Sequence, residues 1–160
     1  MNLSGRHALV VGLGKSGAAA ARLLMSRGAA HPRTSPCRRL PRSPARRVVP
    51  ESLSGIDLVV VSPGVPLSLP IFAEARSRKL EVIGEVELAS RFIEEPLLGI
   101  TGTNGKTTTT EMLAQMLNDC GQSTIACGNI GKPLCEVALE DRDLDVLTVE
   151  VSSFQLETIS

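Results

Sequence analysis

The chain has 160 residues, enough for one substantial core or two small ones, and its seventeen Lys and Arg balance its seventeen Asp and Glu to a net charge of zero. No stretch approaches the roughly 20 apolar residues of a membrane span, and "MNLSGRHALVVGLG" lacks the regions of a secretory leader, so a cytoplasmic protein with no membrane partner is expected. Cys37, Cys120, Cys127 and Cys135 form no Cys-x-x-Cys pair and have no His at ligand spacing, which argues against zinc and for reduced thiols.

The first half of the chain reads as one α/β unit. "HALVVG" (7–12) is a short apolar run ending in glycine, and "KSGAAAARLLMSRG" (15–28) has helix-forming composition closed by glycine, so a strand, a tight turn and a helix are predicted. "IDLVVVSPG" (56–64) repeats the buried-strand signal. "PIFAEARSRK" (70–79) reads as a helix opened by proline, "LEVIG" (80–84) as a strand and "EVELASRFI" (85–93) as a helix.

Residues 31–50 fit neither helix nor central strand, because six Arg and five Pro fall within twenty positions and proline both fixes φ and removes a donor. The stretch is read as a solvated, disordered insert or as the product of a shifted reading frame. It also makes residues 1–50 wholly basic, with ten Lys or Arg and no acid, but a nucleic-acid-binding arm is the weaker reading and no nucleic-acid partner is expected.

After Glu94-Glu95-Pro96, the best candidate linker, the alternation restarts. "LLGITG", "STIACG" and "DVLTVEVS" are predicted strands, and "KTTTTEMLAQMLNDCG" and "KPLCEVAL" are predicted helices. Alternating strands and helices call for parallel sheets. The fold class is therefore α/β: a Rossmann-like parallel-sheet domain over 1–93, followed by the start of a P-loop α/β domain over 97–160.

Chemistry concentrates in "GITGTNGKTTTTEML" (99–113), where a strand runs through a glycine turn into a helix beginning at Lys106 and Thr107. A helix N-terminus leaves backbone N–H groups unpaired and partially positive, so the turn suits an anion. Gly102 and Gly105 let the backbone approach phosphate, Lys106 can reach its terminal oxygens, and the Thr107 hydroxyl can hold Mg²⁺. Ile100 stands where the strict G-x-x-x-x-G-K-[ST] pattern requires glycine, which makes this a variant P-loop. Such loops need an acid at the end of a neighbouring strand, and Glu150 in "VLTVEVSSFQ" is the candidate.

"GITGTNGKTTTTEML", "GNIG" (128–131) and "EVSSFQLE" (150–157), in this order and with an N-terminal "GLGKSG", resemble the Mur ligase family, and within it the members that add D-glutamate. The resemblance spans residues 1–30 and 55–160. It implies an ATP- and Mg²⁺-dependent amide ligase of peptidoglycan precursor synthesis, acting as a monomer. ATP would phosphorylate the carboxylate of UDP-N-acetylmuramoyl-L-alanine, and D-glutamate would attack the acyl phosphate.

Residue by residue, the resemblance implies ATP binding by Gly102, Thr103, Asn104, Gly105, Lys106, Thr107 and Thr108. Lys106 and Glu150 take catalytic roles, and Thr107 and Glu150 hold the metal. Asn129, Ser152 and Gln155 would face the sugar and peptide part of the substrate, while Lys15, Ser16, Ser62 and Gly64 would lie near its uracil and pyrophosphate. The family's second strand normally ends in a Thr/Ser-Arg element near the uracil, and Arg33 and Thr34 fall in the anomalous stretch.

The family also uses a carbamylated lysine, a histidine and a C-terminal domain that have no counterpart in this sequence, so ligation by this chain alone is not expected. Two other readings stay open: a nucleotide-binding module without catalysis, and a folylpolyglutamate synthase-like ligase. "VVGLGKSG" also matches G-x-G-x-x-G at Gly12, Gly14 and Gly17, but no acid precedes Glu51 to hold a ribose, which argues against a nicotinamide cofactor.

Overall fold

A computed structural model describes residues 1–35 and 53–159. The first unit is a parallel sheet of four strands in the order β2-β1-β3-β4, formed by β1 (His7–Val11), β2 (Ala30–Ser35), β3 (Leu58–Val61) and β4 (Glu81–Gly84). Helices α1 (Lys15–Ser26), α2 (Pro70–Ser77) and α3 (Glu85–Ser90) connect or follow them. The period-two alternation of the strands divides their side chains between two cores. Leu9, Val11, Val59 and Val61 pack with Ile71, Phe72 and Ala75 of α2. Ala8, Val10, Leu58 and Val60 face Ala19, Ala20, Leu23 and Leu24 of α1 and Val86 and Leu88 of α3. The Val, Leu, Ile and Phe side chains among them contribute about 1.5–3 kcal/mol each when fully buried, so both sheet faces are committed.

The second unit is a parallel sheet in the order β5-β7-β6, made of β5 (Leu97–Ile100), β6 (Thr124–Gly128) and β7 (Val146–Glu150), with α4 (Lys106–Asp119), α5 (Leu134–Val137) and α6 (Ser153–Leu156). Register places Ile100, Glu150 and Gly128 in one row at the strand ends. The chain therefore leaves all three strands at one edge, where open parallel sheets hold ligands. The first sheet has the same arrangement, with Val11, Val61 and Gly84 in register.

Although two sheets are present, a single core cluster runs through both units. Cys127, Leu134, Cys135, Val137, Leu147 and Val149 of the second join the α1 and α3 side chains of the first. Polar contacts close the rim: Arg27 donates to the Ala138 carbonyl at 3.3 Å and lies 5.2 Å from the centre of the Phe92 ring. The junction is apolar at its centre and polar at its edge.

One expectation is corrected. Residues 31–35 are not an unstructured insert but belong to β2, with Arg33, Thr34 and Ser35 opposite Leu9, Val10 and Val11. Pro32 is tolerated because β2 lies at the sheet edge and the register slips between His7 and Leu9, so no ladder hydrogen bond from residue 32 is required. The rest of the Arg/Pro stretch, residues 36–50, lies outside the described residues, and with it the disorder and reading-frame expectations.

The remaining elements match their predicted places, with ends shifted inward by a few residues. Helix α6, not anticipated, is nucleated locally. Ser152 Oγ accepts from Gln155 N–H while Gln155 Oε1 accepts from Ser152 N–H, a reciprocal capping box.

Candidate functional site

At the strand-end edge of the second sheet, β5 turns through residues 101–105 into α4. Gly105, the residue preceding the helix, is left-handed at φ 76°, and Gly102 has φ 148°, backbone that L side chains rarely adopt. No side chain caps α4 and no acid stands in its first turn. Its leading N–H groups are thus available to an anion. Lys106 is folded back over the turn, with Nζ 2.9 Å from the Gly102 carbonyl and 3.4 Å from that of Thr103. A phosphate entering the turn would exchange these neutral acceptors for charged ones, which attract an ammonium more strongly. Asn104 and Thr108 lie exposed on the same turn and first helical coil.

The acid expected for the metal lies beside this turn. Glu150 is 2% exposed. Its Oε2 accepts from Thr107 Oγ1 at 2.7 Å and its Oε1 from Asn129 Nδ2 at 2.8 Å. Asn129 N–H also donates to the Glu150 carbonyl at 2.9 Å. Gly128 makes that approach possible: at φ 99°, a Cβ there would lie 2.5 Å from the Glu150 carbonyl oxygen. Three elements thus bring Thr107, Asn129 and Glu150 into one cluster. A carboxylate and a hydroxyl are the hard oxygen donors that Mg²⁺ takes, alongside phosphate and water, so the donor set fits that ion.

The other predicted residues assemble at the first sheet. Lys15 and Ser16 open α1 after the glycine turn. Gly12, at φ 96°, lies so near the β3–α2 turn that a Cβ would be 2.8 Å from Ser62 Cβ, and one on Gly17 would be 1.9 Å from the Gly12 carbonyl oxygen. Ser62 and Gly64 line a cleft of about 250 Å³ together with Glu85, Phe154, Gln155 and Thr158. This cleft runs between the β3–α2 turn of the first unit and α6 of the second. It brings Ser62, Gly64 and Gln155 together, whereas Lys15 and Ser16 are not among its lining residues. Ser152 reaches the cleft only through its bonds to Gln155.

Two family descriptions match the chain. "Mur ligase MurD-like, N-terminal domain" covers residues 6–84, and "Mur ligase middle domain" covers residues 100–160. The chain belongs to the Mur ligase family. A UDP-N-acetylmuramoylalanine--D-glutamate ligase of Geobacter metallireducens is 43% identical over all of this chain and 38% of its own length. Its namesake in Thermoanaerobacter sp. is 50% identical over 68% of this chain and 24% of its own length. The chain thus spans well under half the length of these relatives. Among solved structures, a murein peptide ligase of Psychrobacter arcticus shares the fold at a TM-score of 0.54 and 19% identity, covering 94% of this chain and 38% of that one.

Within this Mur ligase chain, sequence reasoning missed Glu85. It is 1% exposed, and its Oε1 accepts from the Cys135 N–H of α5 at 2.6 Å. The Cys135 thiol donates in turn to the Glu85 carbonyl at 3.3 Å. Burial pushes the Glu85 carboxyl up to about 7, against the lowering effect of the Cys135 bonds. Glutamate at the start of a helix is ordinary in sequence. Only the packing of α5 over α3 distinguishes it.

Proposed function

We propose that this chain carries the precursor-binding and ATP-binding parts of an ATP-dependent amide ligase that joins D-glutamate to UDP-N-acetylmuramoyl-L-alanine. The carrying observation is the cluster of Thr107, Asn129 and Glu150 beside an uncapped, glycine-turned helix start. The names of the relatives at 43% and 50% identity support the choice of substrates. In this reading residues 1–93 hold the UDP precursor, with Lys15, Ser16, Ser62 and Gly64 nearest the nucleotide. Residues 97–160 hold ATP at Gly102 through Thr108.

Phosphoryl transfer to a carboxylate brings two anionic groups together, so its barrier is lowered mainly by positioning and by charge neutralisation. Lys106 supplies the mobile positive charge, released from the Gly102 and Thr103 carbonyls to the β- and γ-phosphates. The first-turn N–H groups of α4 hold the phosphate chain. Thr107 and Glu150 would hold Mg²⁺, which when bound neutralises charge on the transferred group. Asn129 keeps the carboxylate turned toward Thr107. The precursor carboxylate gains phosphate and ATP leaves as ADP; the amine of D-glutamate then displaces phosphate to form the amide. No described residue is assigned to present that amine, so this chain alone is expected to bind nucleotide without forming the ligated product. The reading implies a cytoplasmic protein, and among the described residues no helix is long and apolar enough to cross a membrane.

Titration with a fluorescent ATP analogue and Mg²⁺ tests the assignment. Lys106→Ala abolishes binding, whereas Lys132→Ala does not, since the Lys132 ammonium is already paired with Glu140 at 2.6 Å. Equal affinity in the two variants would overturn the nucleotide site.

A further inference from the structure

Two buried polar side-chain atoms beside the cleft have no hydrogen-bond partner: Glu85 Oε2 and Gln155 Nε2. The residues are 1% and 3% exposed, and both line that cleft. Leaving such an atom unpaired costs about 1–3 kcal/mol, so two at one cleft point to a partner that arrives from outside.

The surrounding bonds define what each atom offers. Gln155 Oε1 accepts from Ser152 N–H at 2.8 Å and lies 2.9 Å from Ser152 Oγ. A backbone N–H can only donate, so the amide oxygen must face Ser152 and Nε2 is the free end, an obligate donor. Glu85 Oε1 is taken by the Cys135 N–H at 2.6 Å, which leaves Oε2 as the free atom, an acceptor whenever the carboxyl is ionised. The two residues belong to touching segments. Thr158 Oγ1 donates to the Gln155 carbonyl at 2.8 Å, and the Thr158 carbonyl accepts from Gly84 N–H at 3.2 Å. A Cβ on Gly84, next to Glu85, would lie 2.2 Å from Thr158 Oγ1.

A donor and an acceptor that line the same cleft match an uncharged group with the complementary pair. A phosphate or carboxylate would meet the Glu85 carboxyl, and an ammonium would leave Gln155 Nε2 without an acceptor. A secondary amide satisfies both atoms at once. We propose that Glu85 and Gln155 form an amide-recognition pair in this cleft, with Gln155 Nε2 donating to the ligand carbonyl and Glu85 Oε2 accepting from the ligand N–H. The inference rests on the proposed function, in which the amide-bearing sugar-peptide part of the precursor enters the cleft, and it adds Glu85 to the residues that select it.

The test inverts each atom while keeping its shape and its structural bond. In Glu85→Gln the side-chain oxygen still accepts from Cys135, and an NH₂ replaces the acceptor. In Gln155→Glu one oxygen still accepts from Ser152, and the other replaces the donor. Binding of UDP-N-acetylmuramoyl-L-alanine and of UMP, which has no such amide, is measured by calorimetry on the whole chain, with folding checked by thermal melting. Each folded variant is expected to bind the precursor about tenfold more weakly, the worth of roughly one hydrogen bond, and UMP unchanged. Unchanged precursor affinity in a folded variant overturns the pair and leaves the proposed function standing, as does equal loss of UMP and precursor, which would mean altered cleft shape. Failure of the parent to bind either ligand overturns the proposed function, and the pair with it. Either variant suffices if the other does not fold.

Discussion

Asn129 and Glu150 are joined twice, by the Asn129 backbone N–H to the Glu150 carbonyl at 2.9 Å and by Asn129 Nδ2 to Glu150 Oε1 at 2.8 Å. The two hydrogen bonds tie the end of β6 to that of β7 and leave Glu150 Oε2 to accept from Thr107. Asn129 therefore has a positioning role, in addition to the substrate-facing role that family resemblance implies. Asn129→Ala would remove the amide that holds the carboxylate, and Thr107→Val would remove the hydroxyl. Both variants should lose most of the Mg²⁺-dependent part of ATP-analogue affinity, about tenfold for the loss of one charge-assisted contact. Titrations with and without Mg²⁺ check this; an unchanged Mg²⁺ effect in both would overturn the proposed metal-holding roles of Glu150 and Thr107.

The glycines of the first turn should differ sharply in tolerance. Gly17→Ala would place a Cβ 1.9 Å from the Gly12 carbonyl oxygen, a backbone atom that cannot swing away. It should cost about 1–3 kcal/mol and lower the melting temperature by several degrees. Around Gly14 nothing lies within 4 Å of an added Cβ, and its φ of −70° suits any residue. Gly14→Ala should stay within about 0.5 kcal/mol of the parent. Similar melting temperatures for the two variants would mean that α1 does not press on the turn.

Stability should fall as pH rises through the titration of Glu85. Burial raises its carboxyl from 4.5 to about 7, so the folded chain binds this proton more tightly than the unfolded chain. The contribution is fully present below pH 4.5, declines between 4.5 and about 7, and is lost above that. The groups facing Glu85 are the thiols of Cys127 and Cys135, both raised by burial and then by the Glu85 charge, and they stay uncharged across this window. The effect is on the order of 3 kcal/mol at most. Urea denaturation of the parent should give a lower midpoint at about pH 8 than at about pH 5.5. Glu85→Gln should flatten that difference, and an identical pH slope in the variant would assign it to other groups.

The cysteines should separate by reactivity. Cys120 is exposed at the end of α4, whereas Cys127 and Cys135 are buried. Burial also pushes Cys127 up to about 12 and Cys135 well above its ordinary value, which suppresses the reactive thiolate. With Cys37, outside the described residues, replaced by Ser, a thiol reagent should label one site promptly. The other two should follow only on unfolding, as counted by intact-mass spectrometry. Prompt labelling of all three would show that the α3–α5 junction opens readily.

Local patterns were enough to determine the parallel α/β class, the glycine turns and the pairing of the 102–108 turn with an acid at the end of the last strand. Each is a short-range signal: an apolar run of strand length, a glycine where the backbone must become left-handed, a lysine and threonine at a helix start. Proline content misled for residues 31–35, because whether a missing N–H matters depends on strand order, and only the assembled sheet shows that β2 lies at its edge. Tertiary structure alone decided that Asn129 grips Glu150, 21 residues away along the chain. It alone decided that Glu85 is buried, since that requires α5, 50 residues further on, to close over α3. Burial and hydrogen-bond satisfaction are properties of how surfaces meet, and a helix-opening glutamate has the same sequence signature whether its carboxyl faces water or a second unit.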